Sequence, residues 1–439
     1  MISPARRAAF EILRRVDQEQ AYASVLLATM DPRMREDDRA LCHELVLGVL
    51  RNQLWLDRVV EHFADRDSAR IDLPVRLALR LALYQLRFLS RIPASAAVNE
   101  SVNLVRAAGL KSAASFANAV LREATRNPDY DPTLDATDEV EKLSIETSHP
   151  AWMIERWIRA LGFQDAARLA RANNKSPSLA FRFTSRSVAR REALLKELES
   201  SGAKLSQSKI LANAWRVSRV NDVVRRFLND GLIYFQDEAS QLVAHIVGAT
   251  SGDRVLDVCA APGSKATQMA ALAPEATVLG GDFYLHRLGT MRNLAERQAS
   301  RLQLMAYDAS VSLPFTEGSF DRVLLDAPCS GTGTLRHNPE IRWRLQASDI
   351  EELALKQKKI LANAAAMVRP GGHLVYSTCS FEPEENEEVI SDFLDGQSDF
   401  EMAPAGGLAG LCNKTGAIRT WPHQDDIDGF FVVTFDRRN

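Results

Sequence analysis

From residue 253 onward the chain alternates short, uninterrupted apolar runs with helical stretches, and this rhythm restricts its fold more than any other feature. "RVLDVCA" is followed by "SKATQMAALA", and "ATVLGGD" by "HRLGTMRNLAERQA". Then come "LQLMAYDA", "FDRVLLDAP", a long helical stretch around 349–368, and "HLVYSTCS". Strands that are apolar at nearly every position must be covered on both faces, as in a parallel sheet with helices on each side. The pattern predicts an α/β domain over 231–439 with a mostly parallel sheet. "GFFVVTFDRR", residues 429–438, is expected to add an antiparallel edge strand.

The opening third reads differently. "AAFEILRRV", "RALCHELVLGVLRNQLWLDRVVEHF", "LPVRLALRLALYQLRFL" and "AAVNESVNLVRAAG" repeat apolar residues at spacings of three and four, as amphipathic helices do. Pro74 and Pro93 fall near helix starts, and Gly109 marks a helix stop. An all-α domain over 1–130 follows, with breaker-rich 126–139 as linker. Helix resumes over 141–173. "SLAFRFTS" and "AWRVSRV" then read as strands around the helix "SVARREALLKELESSG". The reading is thus three domains: 1–130 all-α, 141–230 small, basic and α/β, and 231–439 α/β.

A net charge of −3 conceals an uneven distribution. Residues 171–226 carry 13 Lys and Arg against 4 Asp and Glu, whereas 227–439 carry 18 against 29. One concentrated basic segment in an otherwise balanced chain points to a polyanion bound there, the alternative being a solvated face. The five cysteines form no CxxC pair, which argues against zinc and a disulfide framework and for a reducing cytosol. The histidines show no ligand spacing, so no metal is expected. No apolar run approaches the roughly 18 residues of a membrane span, and "MISPARRAAFEILRRV" is not a secretory signal.

In a doubly wound sheet, ligands collect beyond the carboxyl ends of the strands. Here those ends carry acids in series: Asp257 before the turn "CAAPGSK", then Asp282, Asp308 and Asp326. The turn lacks GxGxxG and also GxxxxGK[ST], because Lys265 precedes Ala266, so it offers no phosphate cradle. Successive acids without such a cradle suit a cationic, adenosine-bearing ligand, and S-adenosylmethionine fits. Asp282 would take the ribose and Asp308 would lie near the adenine. Any single aspartate could instead cap the following helix; four in series favour the ligand.

"LLDAPCSGTGT" and "LVYSTCS" each place a cysteine, Cys329 and Cys379, where a strand gives way to a loop. Methylating oxygen or nitrogen needs only a base and alignment, and would leave Cys379 without a task. Carbon-5 of a pyrimidine is a poor nucleophile and must first be activated by a thiolate adding at carbon-6. Such chemistry also needs an acid near N3/N4 and a base for release. By position alone, either cysteine could be the nucleophile. A further alternative is an RNA-binding factor with an inactive methyltransferase fold, against which the paired cysteine motifs speak.

"VLDVCAAPGSK", "LLDAPCSGTGT" and "YSTCS" together resemble the RNA (cytosine-5)-methyltransferases of the Sun/Fmu and nucleolar-protein type. "NESVNLVRAAG" and "FANAVLRE" resemble the RNA-binding antitermination factor NusB. The resemblance covers nearly the whole chain. It implies a NusB-like domain, a small basic RNA-binding α/β domain and a Rossmann-like methyltransferase domain. It further implies S-adenosylmethionine as cofactor, S-adenosylhomocysteine as product and 16S ribosomal RNA as substrate, with cytosine 967 as target. Carried over, it makes Cys379 the nucleophile and Cys329 the residue assisting product release, with Asp326 on the cytosine edge. Cofactor binding would fall on Cys259, Ala260, Ala261, Pro262, Gly263, Ser264, Lys265, Asp282, Asp308 and Asp326. A cytoplasmic monomer is expected. Cys42 and Cys259 read as packing residues, and Cys412 carries no signal.

Overall fold

A computed structural model describes residues 2–31, 33–404 and 416–439, so Cys412 lies outside the described residues. The chain forms two compact units, Met1–Lys175 with Leu335–Leu345, and Ser176–Thr334 with Gln346–Asn439.

The first unit is helical. Helices Pro4–Gln18, Glu36–Arg51, Gln53–Ala64, Leu73–Phe88, Ala94–Ala107 and Ala113–Arg126 share a core that includes Leu13, Leu45, Val59, Leu79, Val105 and Leu121, and Leu73–Phe88 is buried on every side from Leu77 to Gln85. Pro74 sits in the first turn of its helix, where a missing N–H costs nothing, and Pro93 is the residue before its helix. A part-buried ion pair lies in this core: Arg80 donates to Asp57 in two bonds of 2.6 and 2.7 Å.

Helices Glu139–Thr147, Ala151–Leu161 and Phe163–Asn173 fall in this compact unit. They are tied to it directly: the Trp55 N–H donates to Ser148 Oγ at 3.1 Å, and Arg58 pairs with Glu141 at 3.2 Å. The segment 335–345 also returns here. Its buried Arg342 donates to the carbonyls of Thr147 and Ser148 at 3.2 and 3.0 Å, and to Asn174 Oδ1 at 2.9 Å. Arg344 donates to the carbonyls of Val16, Gln20 and Ala21, and the Ala23 N–H donates to Glu340. Nothing in its periodicity announced this strap, because its hold is polar.

The second unit carries two sheets. The smaller is antiparallel in the order β2-β3-β1-β4, from β1 (Leu179–Phe183), β2 (Leu205–Gln207), β3 (Ala214–Val217) and β4 (Ile233–Phe235). β4 lies beyond the boundary expected at residue 230, and pairs Phe181 with Phe235 across β1. Phe181, Phe183, Leu198, Val217 and Phe227 form the core of this sheet.

The larger sheet is built from β5 (Arg254–Asp257), β6 (Thr277–Asp282), β7 (Gln303–Ala306), β8 (Phe320–Asp326), β9 (Val368–Thr378), β10 (Phe400–Ala403), β11 (Ile418–Arg419) and β12 (Phe431–Arg437). Its order is β10-β12-β9-β8-β5-β6-β7, with β11 pairing β12. β9, β8, β5, β6 and β7 are mutually parallel, and β12 is antiparallel to β9 and β10. β12 is therefore an interior strand, not the edge expected from sequence; β10 covers its outer side. Its run from Phe431 to Phe435, apolar except for Thr434 and buried throughout, matches that position. One face of the sheet packs on helix Ala347–Met367, the other on helices Glu238–Val247 and Ser264–Leu272.

Candidate active site at the strand ends

Strand polarity alone brings the carboxyl ends of β5, β6, β8 and β9 to one edge of the sheet. After Asp257 the backbone turns sharply. Ala260 N donates to Gly281 O and Gly263 N to Ala260 O, both at 2.7 Å, and the Ala261–Pro262 peptide is cis. Gly263 has φ +104° and opens helix Ser264–Leu272; a Cβ there would lie 2.7 Å from Met291 Cγ. Arg287 donates to Ala261 O at 2.8 Å, and its other terminal nitrogen lies 3.2 Å from Asp282 Oδ2.

The four acids are not equivalent. Asp282 Oδ1 accepts the Tyr284 N–H at 2.9 Å, and Asp308 Oδ1 accepts Ser310 N and Oγ at 2.9 and 2.6 Å. Those serine bonds hold the Asp308 carboxyl below its usual range. Each of these two acids thus braces its own turn with one oxygen. Asp326 is held between Lys265 Nζ, at 2.7 Å, and Ser377 Oγ, at 2.8 Å. Burial disfavours charge on Lys265, but Asp326 outweighs it and raises its pKa. Asp257 is buried, and neither of its oxygens has a hydrogen-bond partner. Burial, reinforced by the nearby Asp326 charge and opposed by Lys265, pushes its pKa up to about 8.

The two cysteines converge. Cys329, three residues past the end of β8, lies with Sγ 3.3 Å from Sγ of Cys379, the residue after β9. The Cys379 hydrogen bond and burial raise the Cys329 pKa well above the ordinary thiol value. The loops also lock through backbone: Gly333 N donates to Cys379 O, and Gly429 N to Gly333 O, both at 2.9 Å. Phe381 N donates to Thr332 Oγ1 at 2.9 Å. Cys42 is buried in its helix with its thiol pushed up to about 11 by burial, and burial likewise raises Cys259. Neither position favours a thiolate.

Sequence reasoning missed the groups that hold these loops. Glu385, fully buried, accepts from Ser330 N, from the hydroxyls of Ser330 and Ser380, and from Gln357 Nε2. Thr378 Oγ1 donates to Asn386 Oδ1 at 2.6 Å. The only signal in the sequence was that a serine follows each cysteine.

The basic segment is partly consumed internally. Arg171 pairs with Glu146, Arg216 with Glu238 and Asp426, Arg225 with Asp222, and Arg226 with Glu197. Arg182 is buried against Gln236, Thr267 and Gln298; Arg186 donates to carbonyls of Glu296 and Arg297; Arg191 meets Asn213. The other six basic residues, Lys175, Arg190, Lys196, Lys204, Lys209 and Arg219, are exposed.

A mostly parallel sheet with one reversed interior strand, a glycine turn after its first strand and acids at successive strand ends define a Rossmann-like methyltransferase. Residues 244–436 match the family model "16S rRNA methyltransferase RsmB/F", residues 3–126 that of the NusB family, and 149–224 that of the RsmF/B-like ferredoxin-like domain. A Bacillus subtilis (strain 168) protein named "Probable ribosomal RNA small subunit methyltransferase B" is 33% identical over 444 residues, covering 99% of this chain and 98% of its own. A ribosomal RNA small subunit methyltransferase B of Erwinia tasmaniensis is 32% identical, covering 97% and 96% respectively. The solved structure of PH0851 superposes over 100% of both chains with a TM-score of 0.84 and 26% identity. The chain belongs to the family of ribosomal RNA small subunit methyltransferases B.

Proposed function

We propose that this chain methylates carbon-5 of a cytosine in 16S ribosomal RNA, using S-adenosylmethionine and a covalent Cys379–cytosine intermediate. The observation that carries the reading is the pairing of Cys329 and Cys379 at 3.3 Å beside Asp326. An oxygen or amino methyltransferase has no use for two converging thiols.

The cofactor fit rests on Asp257. A buried carboxylate with two unpartnered oxygens suits a cationic ligand, and Asp282, whose Oδ2 is shared with Arg287, would take a ribose hydroxyl. The turn from Cys259 to Lys265, with Ala260, Ala261, Pro262, Gly263 and Ser264, would receive the rest, with Asp308 near the adenine and Asp326 at the reacting end. Bound there, S-adenosylmethionine would supply a sulfonium-borne methyl group, its leaving group being the neutral thioether S-adenosylhomocysteine.

In the proposed sequence the Cys379 thiolate forms a bond to carbon-6, and carbon-5 becomes nucleophilic as the ring electrons shift toward N3. Asp326, steadied by Lys265 and Ser377, faces the N3/N4 edge. After methylation a base removes the carbon-5 proton, the 5,6 double bond re-forms and the Cys379–C6 bond breaks. Cys329, in contact with Cys379, assists this elimination. The target base must leave any stack to enter, at a cost of a few kcal/mol; the family resemblance points to cytosine 967.

Incubation with RNA and cofactor tests the assignment. Cys329→Ala should accumulate a protein–RNA adduct that survives a denaturing gel, and Cys379→Ala should accumulate none. Trapping by the Cys379 variant alone would reverse the roles, and a Cys379→Ser protein methylating at full rate would end the covalent reading. Mapping 5-methylcytosine in ribosomal RNA with and without the chain tests the target.

A further inference from the structure

Glu385 stands outside the reacting groups, yet it is fully buried and binds the loops of both cysteines. Its Oε1 accepts Ser330 N at 2.8 Å and Gln357 Nε2 at 2.9 Å. Its Oε2 accepts the Ser330 hydroxyl at 2.5 Å and the Ser380 hydroxyl. The two hydroxyl oxygens are 3.0 Å apart. Gln357 extends the hold by donating also to Pro328 O at 2.9 Å, and Tyr376 OH donates to Glu385 O at 2.6 Å. A carboxylate is acceptor-only with about four lone-pair sites, so four donors saturate it.

The hold is lopsided. Two bonds from Glu385 reach the residue after Cys329, and Gln357 secures the residue before it, whereas only one bond reaches the residue after Cys379. The Cys379 loop has supports of its own: Asn386 Nδ2 donates to Ser380 O at 2.9 Å, and Glu382 N donates to Ser380 Oγ at 3.0 Å. Removing the carboxylate therefore frees the Cys329 loop more than the Cys379 loop.

We infer that Glu385 is the positioning residue for Cys329, fixing it against Cys379 through the serine that follows each cysteine. This rests on the release role proposed for Cys329, and it adds a specific consequence: loss of Glu385 slows elimination of the product more than formation of the adduct. Displacement by about 1 Å can cost on the order of a hundredfold in a positioned reaction.

The test is a double-mutant cycle read as adduct lifetime on denaturing gels after a single turnover with RNA and S-adenosylmethionine. Glu385→Ala should lengthen that lifetime at least about tenfold while adduct formation slows less. In a Cys329→Ala background the same change should lengthen it no further, because both act through one thiol. Glu385→Gln, whose oxygen can still accept from Ser330 N and Gln357, should restore much of the release rate. If Glu385→Ala does not fold, Ser330→Ala, which leaves the carboxylate in place, should reproduce the release defect in weaker form. Failure of Cys329→Ala to trap an adduct would remove the release role itself and this inference with it. Trapping by Cys329→Ala with normal release in the Glu385 and Ser330 variants would overturn the positioning role alone, as would a defect that adds fully in the double variant.

Discussion

Asp257 sits in surroundings that disfavour the ionised form of its side chain. It is a carboxyl sealed in the protein with no donor, close to Asp326, and it titrates near 8 rather than 3.8. The folded chain therefore holds this proton across a window in which the unfolded chain has released it. Stability from this group is fully present below about 4 and is lost as pH rises toward about 8, where both states are ionised. Asp257→Asn has no such proton. The variant's stability should consequently gain on the parent's by more than about 1 kcal/mol between pH about 5 and about 8, measured by urea unfolding. A constant difference across that range would show that the buried carboxyl carries no extra proton. Proton retention also bears on the proposed cofactor role: a cation arriving beside Asp257 would favour its ionised form.

At the scale of elements, a tight backbone fit joins the loop after β8 to Gly429, two residues before β12. Gly333 has backbone on both sides, and a Cβ built there would stand 2.0 Å from Gly429 O and 2.9 Å from Cys379 O. Neither neighbour can move like a side chain. Gly333→Ala should separate the two cysteine loops, costing about 1–3 kcal/mol in denaturant unfolding together with most of the methyl transfer. An alanine protein of parental stability and activity would contradict this packing. The same region shows where sequence reading stops. The parallel strands, Asp326 and both cysteines were legible because apolar runs and strand-end motifs are local signals. Glu385, Gln357 and Asn386 were not, since each is a polar residue in an ordinary helical or acidic stretch whose partners lie up to 55 residues away. The interior place of β12 was missed for a related reason: a C-terminal apolar strand reads alike at an edge or inside, and only the pairing of β10 on its far side distinguishes them.

Across the whole molecule, charge is the feature that reading by composition overstated and structure redistributes. Of the 13 basic residues in 171–226, seven bind acids, carbonyls or amides of the chain itself, so a net charge count exaggerates the surface available to a polyanion. The 335–345 strap was illegible for the same reason: its arginines work on internal carbonyls, and their purpose depends on a fold that the local sequence does not describe. If this segment attracts RNA, that attraction must come from the exposed set, of which Arg190, Lys196, Lys204, Lys209 and Arg219 lie in the small antiparallel domain. Replacing these five by glutamine should weaken RNA binding strongly at low salt and little at high salt. It should also flatten the dependence of log K on log salt by about 0.7 for each single-strand phosphate that is no longer neutralised. Replacing Arg216 and Arg226, which are paired with Glu238 and Glu197, should lower thermal stability and leave the salt slope nearly unchanged. Equal slopes for the parent and the five-fold variant would make the exposed set a solvated face, and a slope change from the paired arginines instead would place the RNA on the other side of this domain's charge.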